Sequence, residues 1–136
     1  MRASAAAAAV LIAALLAGCG APSPDLFVVE RTGSVPGARL TLVVDDGGFV
    51  RCNGGERLQI SREQLIDARE IERALSGEGG KPGPAARDLR LAPQPGSVLR
   101  YDVRTEAGSV SFADNSAGQP PDFPRIVQLT RTLAKE

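Results

Sequence analysis

The chain has 136 residues, 16 of them Lys or Arg and 16 Asp or Glu, so its formal net charge is zero. This length favours a single domain, and the charge balance excludes a strongly basic nucleic-acid-binding protein. Histidine, the commonest general base and metal ligand, does not occur, so the composition argues against an enzyme or a metal site.

The first residues have the pattern of an export signal. Arg2 supplies a positive start, and residues 3–16 are almost wholly apolar before small residues lead to Cys19. This run is too short for a membrane-spanning helix, which needs about 20 apolar residues. It predicts a signal peptide over residues 1–18 that is cleaved from the mature protein.

The segment LAGC at 16–19, which spans the predicted cleavage site, resembles the lipobox of bacterial lipoproteins. The resemblance implies cleavage between Gly18 and Cys19 and a diacylglyceryl group, with a further acyl chain, on Cys19. Two or three acyl chains hold a protein stably on a bilayer. We therefore expect residues 19–25 to tether the protein to the extracytoplasmic side of a bacterial membrane. An ordinary signal peptide with an incidental cysteine is the alternative.

Four strands are predicted in the first half of the remaining chain, because β-forming residues and apolar-polar alternation recur between turn signals. They comprise residues 26–32, 39–45, 49–52 and 57–60. A turn cluster at 33–37 separates the first two strands. Asn53-Gly54 is a strong hairpin signal between the last two.

A helix is predicted from Ser61, because Ser61 and Gln64 have the spacing of a capping box. Gly77 stands where the helix would end. The helix carries an apolar stripe that we expect to cover a sheet, comprising Leu65, Ile66, Ala68, Ile71 and Leu75. The glycine-rich segment 77–84 predicts a flexible, exposed loop, and residues 85–97 carry mixed signals without an assignment.

The second half predicts a hairpin and a helix. Strict alternation over 98–105 places Leu99, Tyr101 and Val103 inward, and a strand at 109–113 follows with Val110 and Phe112 inward. Asp122 is expected to cap the last helix, with Pro124 in its first turn. Its expected buried side comprises Phe123, Ile126, Val127, Thr130 and Leu133. The whole predicts one α+β domain, 26–136, with a small antiparallel sheet and two helices on one face.

No motif in the sequence indicates catalysis or a cofactor. Cys52 has no histidine to activate its thiol, so we interpret it as structural, with a redox role as the alternative. Asp45, Asp46 and Glu56 lack the ligand spacing of a calcium loop. We expect a non-catalytic protein with no metal and no cofactor besides the lipid on Cys19.

The order of elements over residues 27–134 resembles the emfourin family, small bacterial inhibitors of thermolysin-like metalloproteases. The residues that carry the resemblance are Arg31-Thr32-Gly33, Val44-Asp45, Tyr101 and the proline-containing last helix. The chain departs from the family in its hairpin at 49–60 and in having one glycine after Thr32 where a pair is usual. The resemblance implies a compact α+β protein without cofactors and an inhibitory function. The segment 49–55 is also similar to small exported actinobacterial proteins of no assigned activity.

Exposed turns are the expected binding surface of such a module, because turn residues expose backbone groups. The candidate partner contacts are Arg31, Gly33, Asp46, Asn53 and Gly54. The expected partner is an envelope or extracellular protein, and not a nucleic acid. Protease inhibition is a narrower form of this function. A structural envelope lipoprotein without a discrete ligand is the alternative.

Overall fold

A computed structural model of the protein describes residues 23–136. The predicted signal peptide, its cleavage after Gly18 and the lipid on Cys19 therefore lie outside the described residues. Over residues 23–136, neither helix has the length and apolar character needed to cross a membrane.

The described residues form eight strands and two helices. In chain order these are β1 (Asp25–Gly33), β2 (Leu40–Asp45), β3 (Phe49–Cys52), β4 (Arg57–Gln59), α1 (Arg62–Ser76), β5 (Gly77–Glu78), β6 (Lys81–Pro82), β7 (Leu99–Thr105), β8 (Gly108–Ala113) and α2 (Asp122–Leu133). Six strands form an antiparallel sheet in the order β4-β3-β2-β1-β7-β8, and β5 pairs with β6. The predicted α+β class is confirmed.

The core lies between one face of the six-stranded sheet and the two helices. β1 is central, pairing with β2 on one side and β7 on the other, so that Val29 lies opposite both Leu42 and Val103. The two-residue period of a strand turns alternate side chains of β1 inward, and the inward set is Phe27, Val29 and Arg31. Burying each large apolar side chain contributes roughly 1.5–3 kcal/mol, which favours this register over a one-residue slip.

Helix α1 begins as the sequence predicts. The Ser61 hydroxyl accepts from the Gln64 backbone N–H at 3.1 Å, and the Gln64 side chain accepts from the Ser61 N–H at 2.8 Å. Gly77 follows the helix with φ 108°, a conformation that favours glycine. Ala68, Ile71 and Leu75 of the predicted stripe are buried, whereas Ile66 is 46% exposed.

Helix α2 differs from the prediction at its start. Its N-cap is Pro121, with no side-chain cap, and Asp122 instead accepts from Arg125 at 3.0 Å. Its buried residues are Phe123, Ile126, Leu129, Thr130 and Leu133. Leu129 is buried where Val127 was expected, and Val127 is half-buried. Helix α2 packs against α1 and, through Phe123, against the sheet.

Residues 77–98 contain contacts that the local sequence did not indicate. The segment predicted as a flexible, exposed loop forms the β5–β6 hairpin, and Gly83 after it is buried against the end of α1. Farther on, the Ser111 N–H donates to the Leu89 carbonyl at 3.1 Å and the Leu91 N–H to the Ser111 carbonyl at 2.8 Å. These two bonds cover part of the free edge of β8.

Three stacked aromatic rings join α2 to the hairpin formed by β7 and β8. The ring centroids of Tyr101 and Phe112 are 5.2 Å apart, and those of Phe112 and Phe123 are 4.5 Å apart. All three side chains are fully buried. The stack therefore fixes the start of α2 over β7 and β8.

Phe123→Ala removes one end of this stack and should lower the free energy of unfolding by about 3–5 kcal/mol, because it leaves a cavity between α2 and the sheet. Urea unfolding measures the change. The matched control is Ile66→Ala, an apolar residue exposed on α1, for which we expect a change within about 0.5 kcal/mol. Equal losses in the two variants would contradict the core placement of Phe123.

Candidate functional site

A groove of about 560 Å³ lies where the loop between β1 and β2, strand β7 and the end of α2 meet. We call it the Arg31 groove. Its lining combines apolar side chains with a few charged and polar ones. The residues that define its chemistry are Arg31, Val35, Leu99, Tyr101, Val127 and Glu136.

Arg31 is the buried cation of this groove. Its side chain is 4% exposed, because it lies in the inward row of the central strand β1. The guanidinium Nε donates to the Ala38 carbonyl at 2.8 Å, and Nη2 donates to the Gly37 carbonyl at 3.1 Å. These two bonds fix the guanidinium plane against the β1–β2 loop.

Glu136 neutralises Arg31 through a bidentate ion pair. Arg31 Nη1 donates to Glu136 Oε2 at 2.7 Å, and Nη2 donates to Oε1 at 2.5 Å. The hydrogen bonds with Glu136 raise the pKa of Arg31, and those from Arg31 lower the pKa of Glu136. A buried charge must be paired, so this contact is required once Arg31 faces inward.

The end of α2 places Glu136 over the groove. The Glu136 N–H donates to the Arg131 carbonyl at 3.0 Å and the Lys135 N–H to the Thr132 carbonyl at 3.2 Å, which together form a Schellman motif. Lys135 has φ 60°, the left-handed conformation that glycine usually occupies here. A residue with a Cβ is disfavoured there by roughly 1 kcal/mol.

Tyr101 supplies a hydroxyl that has no hydrogen-bond acceptor among the described residues. It lies opposite Arg31 across the β1–β7 pair and is fully buried. Its hydroxyl has no hydrogen bond of standard geometry within residues 23–136, although the Arg31 guanidinium lies near enough to interact with it. Burial raises the pKa of the phenol, and the nearby Arg31 partly offsets that rise. The hydroxyl proton therefore has no acceptor among these residues and can be donated to a further group.

The predicted partner contacts divide between two ends of the sheet. Gly33 ends β1 beside the groove, and antiparallel pairing brings the Asn53-Gly54 turn to the same end, which we call the groove end. Asp46 lies in the β2–β3 turn at the opposite end, where it pairs with Arg69 at 2.7 Å. Asn53 (φ 51°) and Gly54 (φ 68°) form the predicted tight turn, and the Asn53 side chain accepts from the Thr41 N–H.

Among the predicted partner contacts, Arg31 departs most from the expectation of an exposed turn residue, because it lies buried in strand β1. Its guanidinium is buried and paired with Glu136, a residue 105 positions away in the chain. Glu136 and the Tyr101 hydroxyl were not among the predicted site residues. A signal for the ion pair does exist: alternation along β1 places Arg31 on the same face as Phe27 and Val29, and an inward arginine requires an acidic partner.

A second cavity, of about 640 Å³, lies toward the other end of the sheet, lined by Ser23, Asp25 and Asp45 with Arg51 and Arg57. Its carboxylate Asp45 is engaged by Arg57 at 2.9 Å. Arg57 in turn stacks 3.6 Å above the Phe49 ring. Asp25 and Arg51 are exposed, and no buried side-chain polar atom of this cavity lacks a hydrogen-bond partner within residues 23–136.

The candidate reactive and metal-binding residues are separated in the fold. Residues 23–136 contain no cluster of three or more carboxylate or thiol groups positioned to hold a metal ion. Asp45 and Asp46 each pair with an arginine, whereas Glu56 lies in the turn at the groove end. Cys52 is a half-buried free cysteine, and burial raises the pKa of its thiol, which disfavours the reactive thiolate.

Comparison of the chain with protein-family models, with curated proteins and with solved structures found no match. Two features of the chain itself bear on function. One is the lipobox-like segment that ends at Cys19. The other is the Arg31 groove at the far end of β1 from Asp25, where the domain begins.

The ion pair between Arg31 and Glu136 makes the free energy of unfolding depend on pH in the acidic range. The lowered pKa of Glu136 means that its contribution is complete above the ordinary glutamate value of about 4.3 and is lost as pH falls through the lowered pKa. At pH 6, Glu136→Gln should lower the free energy of unfolding by about 2 kcal/mol, less than for a fully buried pair because Glu136 is 38% exposed. Urea unfolding should show this difference shrinking toward pH 3.

The matched control is Glu56→Gln, an exposed glutamate outside the groove, which should change stability by under about 0.5 kcal/mol. A loss in Glu136→Gln that stays constant from pH 6 to pH 3 would contradict the ion pair as its cause.

Proposed function

We propose that the protein is a non-catalytic binding module, anchored by a lipid on Cys19 to the extracytoplasmic side of a bacterial membrane. Its partner is an envelope or extracellular protein, bound at the groove end of the sheet. The observation that carries the proposal is the sequence LAGC at 16–19, six residues before a domain that begins with β1 at Asp25.

The direction of β1 supports binding at the groove end. The strand has nine residues, from Asp25 to Gly33, and therefore spans about 26 Å. The chain that leads back to Cys19 enters at one end of this strand, and the Arg31 groove lies at the other. A module anchored through that chain can present its groove away from the bilayer. Anchoring also raises its effective concentration for partners at the membrane.

The chemistry of the described residues supports a binding role over catalysis. In the groove, the charged groups Arg31 and Glu136 satisfy each other, which suits recognition and leaves neither of them free to act as a base. The Cys52 thiol has a raised pKa, the opposite of an activated nucleophile. No cofactor is part of the proposal beyond the acyl groups on Cys19.

Inhibition of a metalloprotease is the narrower candidate. It is favoured by the emfourin-like order of elements, strands followed by a helix, a hairpin and a helix, to which the chain adds the short β5–β6 hairpin after α1. Arg31 and Tyr101, two of the residues that carry that resemblance, lie together in the groove. The nature of the captured partner decides between an inhibitor and another kind of binder.

Cys19→Ser should release the protein from the membrane fraction and abolish incorporation of labelled palmitate, because the thioether cannot form. Cell fractionation with immunoblotting measures the first effect and metabolic labelling the second. Cys52→Ser is the matched control and should stay in the membrane fraction. A Cys19→Ser variant that still fractionates with membranes would contradict the lipid anchor.

Photo-crosslinking in intact cells tests the binding role. A benzophenone amino acid at Val35, a groove residue 41% exposed, should capture one recurring protein, whereas the same group at Ile66 on α1 should not. Diffuse, non-recurring products from both positions would contradict a binding module and support a structural lipoprotein. A captured metalloprotease would support inhibition, and a captured protein of another class would contradict it.

A further inference from the structure

We propose that the Arg31 groove is a carboxylate-binding site whose ligand is a glutamate or aspartate side chain of the partner protein. In this structure Glu136 occupies the site as an internal ligand that the partner's carboxylate replaces. The inference rests on the proposed function for the nature of the partner. The site itself follows from the geometry of the groove.

The guanidinium of Arg31 is organised before any ligand arrives. The carbonyls of Gly37 and Ala38 hold it from the side of the β1–β2 loop, which leaves its remaining edge directed at a carboxylate. A guanidinium held in this way matches the geometry of a carboxylate, and it binds one without a large loss of side-chain entropy. The two carbonyls are neutral, so only an anion can compensate the buried charge.

Glu136 is an incomplete ligand for this groove. It satisfies Arg31 but accepts no hydrogen bond from the buried Tyr101 hydroxyl on the neighbouring strand. An incoming acidic segment can bring a further acceptor or donor to this hydroxyl along with its carboxylate. Satisfying that group favours the partner over the internal ligand.

Glu136 is attached in a way that allows another carboxylate to replace it. Its side chain is 38% exposed, and it reaches the groove through Lys135, whose left-handed backbone is unfavourable for a residue with a Cβ. Arg131 and Asp114 also line the groove and carry opposite charges, so without Glu136 the charge of Arg31 leaves the lining with one net positive charge. The vacated groove therefore attracts an anion.

The rim of the groove accounts for selectivity. Val35 lines the groove and is 41% exposed, and the 40% exposed Val98 belongs to the segment that the adjoining Ser34 N–H contacts through the Val98 carbonyl. A tethered carboxylate such as Glu136 competes at an effective concentration of order millimolar. A free carboxylate well below that concentration therefore does not displace Glu136, whereas an acidic side chain with apolar neighbours gains contacts on the rim and displaces it.

Chemical rescue tests the site with the full-length chain in detergent. Glu136→Ala should have a lower melting temperature than the wild type. N-acetyl-glutamate amide should restore it saturably, whereas its neutral isostere N-acetyl-glutamine amide at equal ionic strength should not. Binding of the glutamate compound should be about tenfold or more tighter in Glu136→Ala than in the wild type, since the internal competitor is gone. Glu56→Ala is the matched control and should show no carboxylate-dependent gain.

Two further variants make the result decisive. Glu136→Gln keeps the side-chain volume and replaces Glu136→Ala if that variant does not fold. Arg31→Met combined with Glu136→Ala removes the buried charge and should abolish the rescue. Rescue by the glutamine compound, rescue without Arg31, or no rescue in either Glu136 variant would overturn the inference.

The rescue and the crosslinking distinguish the carboxylate site from the binding module. If rescue fails while the benzophenone at Val35 still captures one partner, the carboxylate site is wrong and the binding module stands. If rescue succeeds while no partner is captured, the groove binds a carboxylate, and both the binding module and the assignment of the ligand to a partner protein are contradicted.

Discussion

The main physical constraint on this structure is the buried positive charge of Arg31 on the central strand β1. Arg31 shares its face of β1 with Phe27 and Val29, so its charge is removed from water together with the core. Removing one member of a buried ion pair is costly, since the other charge stays unpaired. The β1–β2 loop, through Gly37 and Ala38, and α2, through Glu136, meet at this cation and satisfy it.

The position of α2 is what makes that contact available. Phe123 stacks on the sheet at the start of the helix, and the Schellman motif turns Glu136 back toward Arg31 at its end. Between them, Arg125 reaches α1 through ion pairs with Asp67 and with Glu70, the latter at 3.0 Å. Apolar packing orients the helix, and the surface ion pairs add little, typically under about 1 kcal/mol each.

The proposed function follows from where these features lie relative to the predicted anchor. A short segment joins Cys19 to one end of β1, and the groove lies at the other end. In this proposal Glu136 competes with any incoming carboxylate, so a partner must make further contacts to replace it. Selectivity for acidic segments with apolar neighbours would then come from competition as well as from attraction.

The sequence by itself determined the features that depend on near neighbours: the six strands of the main sheet, the capping box of α1, the Asn53-Gly54 turn and the α+β class. It also predicts the signal and lipid site at Cys19, which stay predictions. Tertiary structure decided the uncapped start of α2, the covering of the β8 edge and the pairing of Arg31 with Glu136. Capping and alternation act within about four residues along the chain. An ion pair between residues 105 positions apart exists only once packing has brought its two charges together.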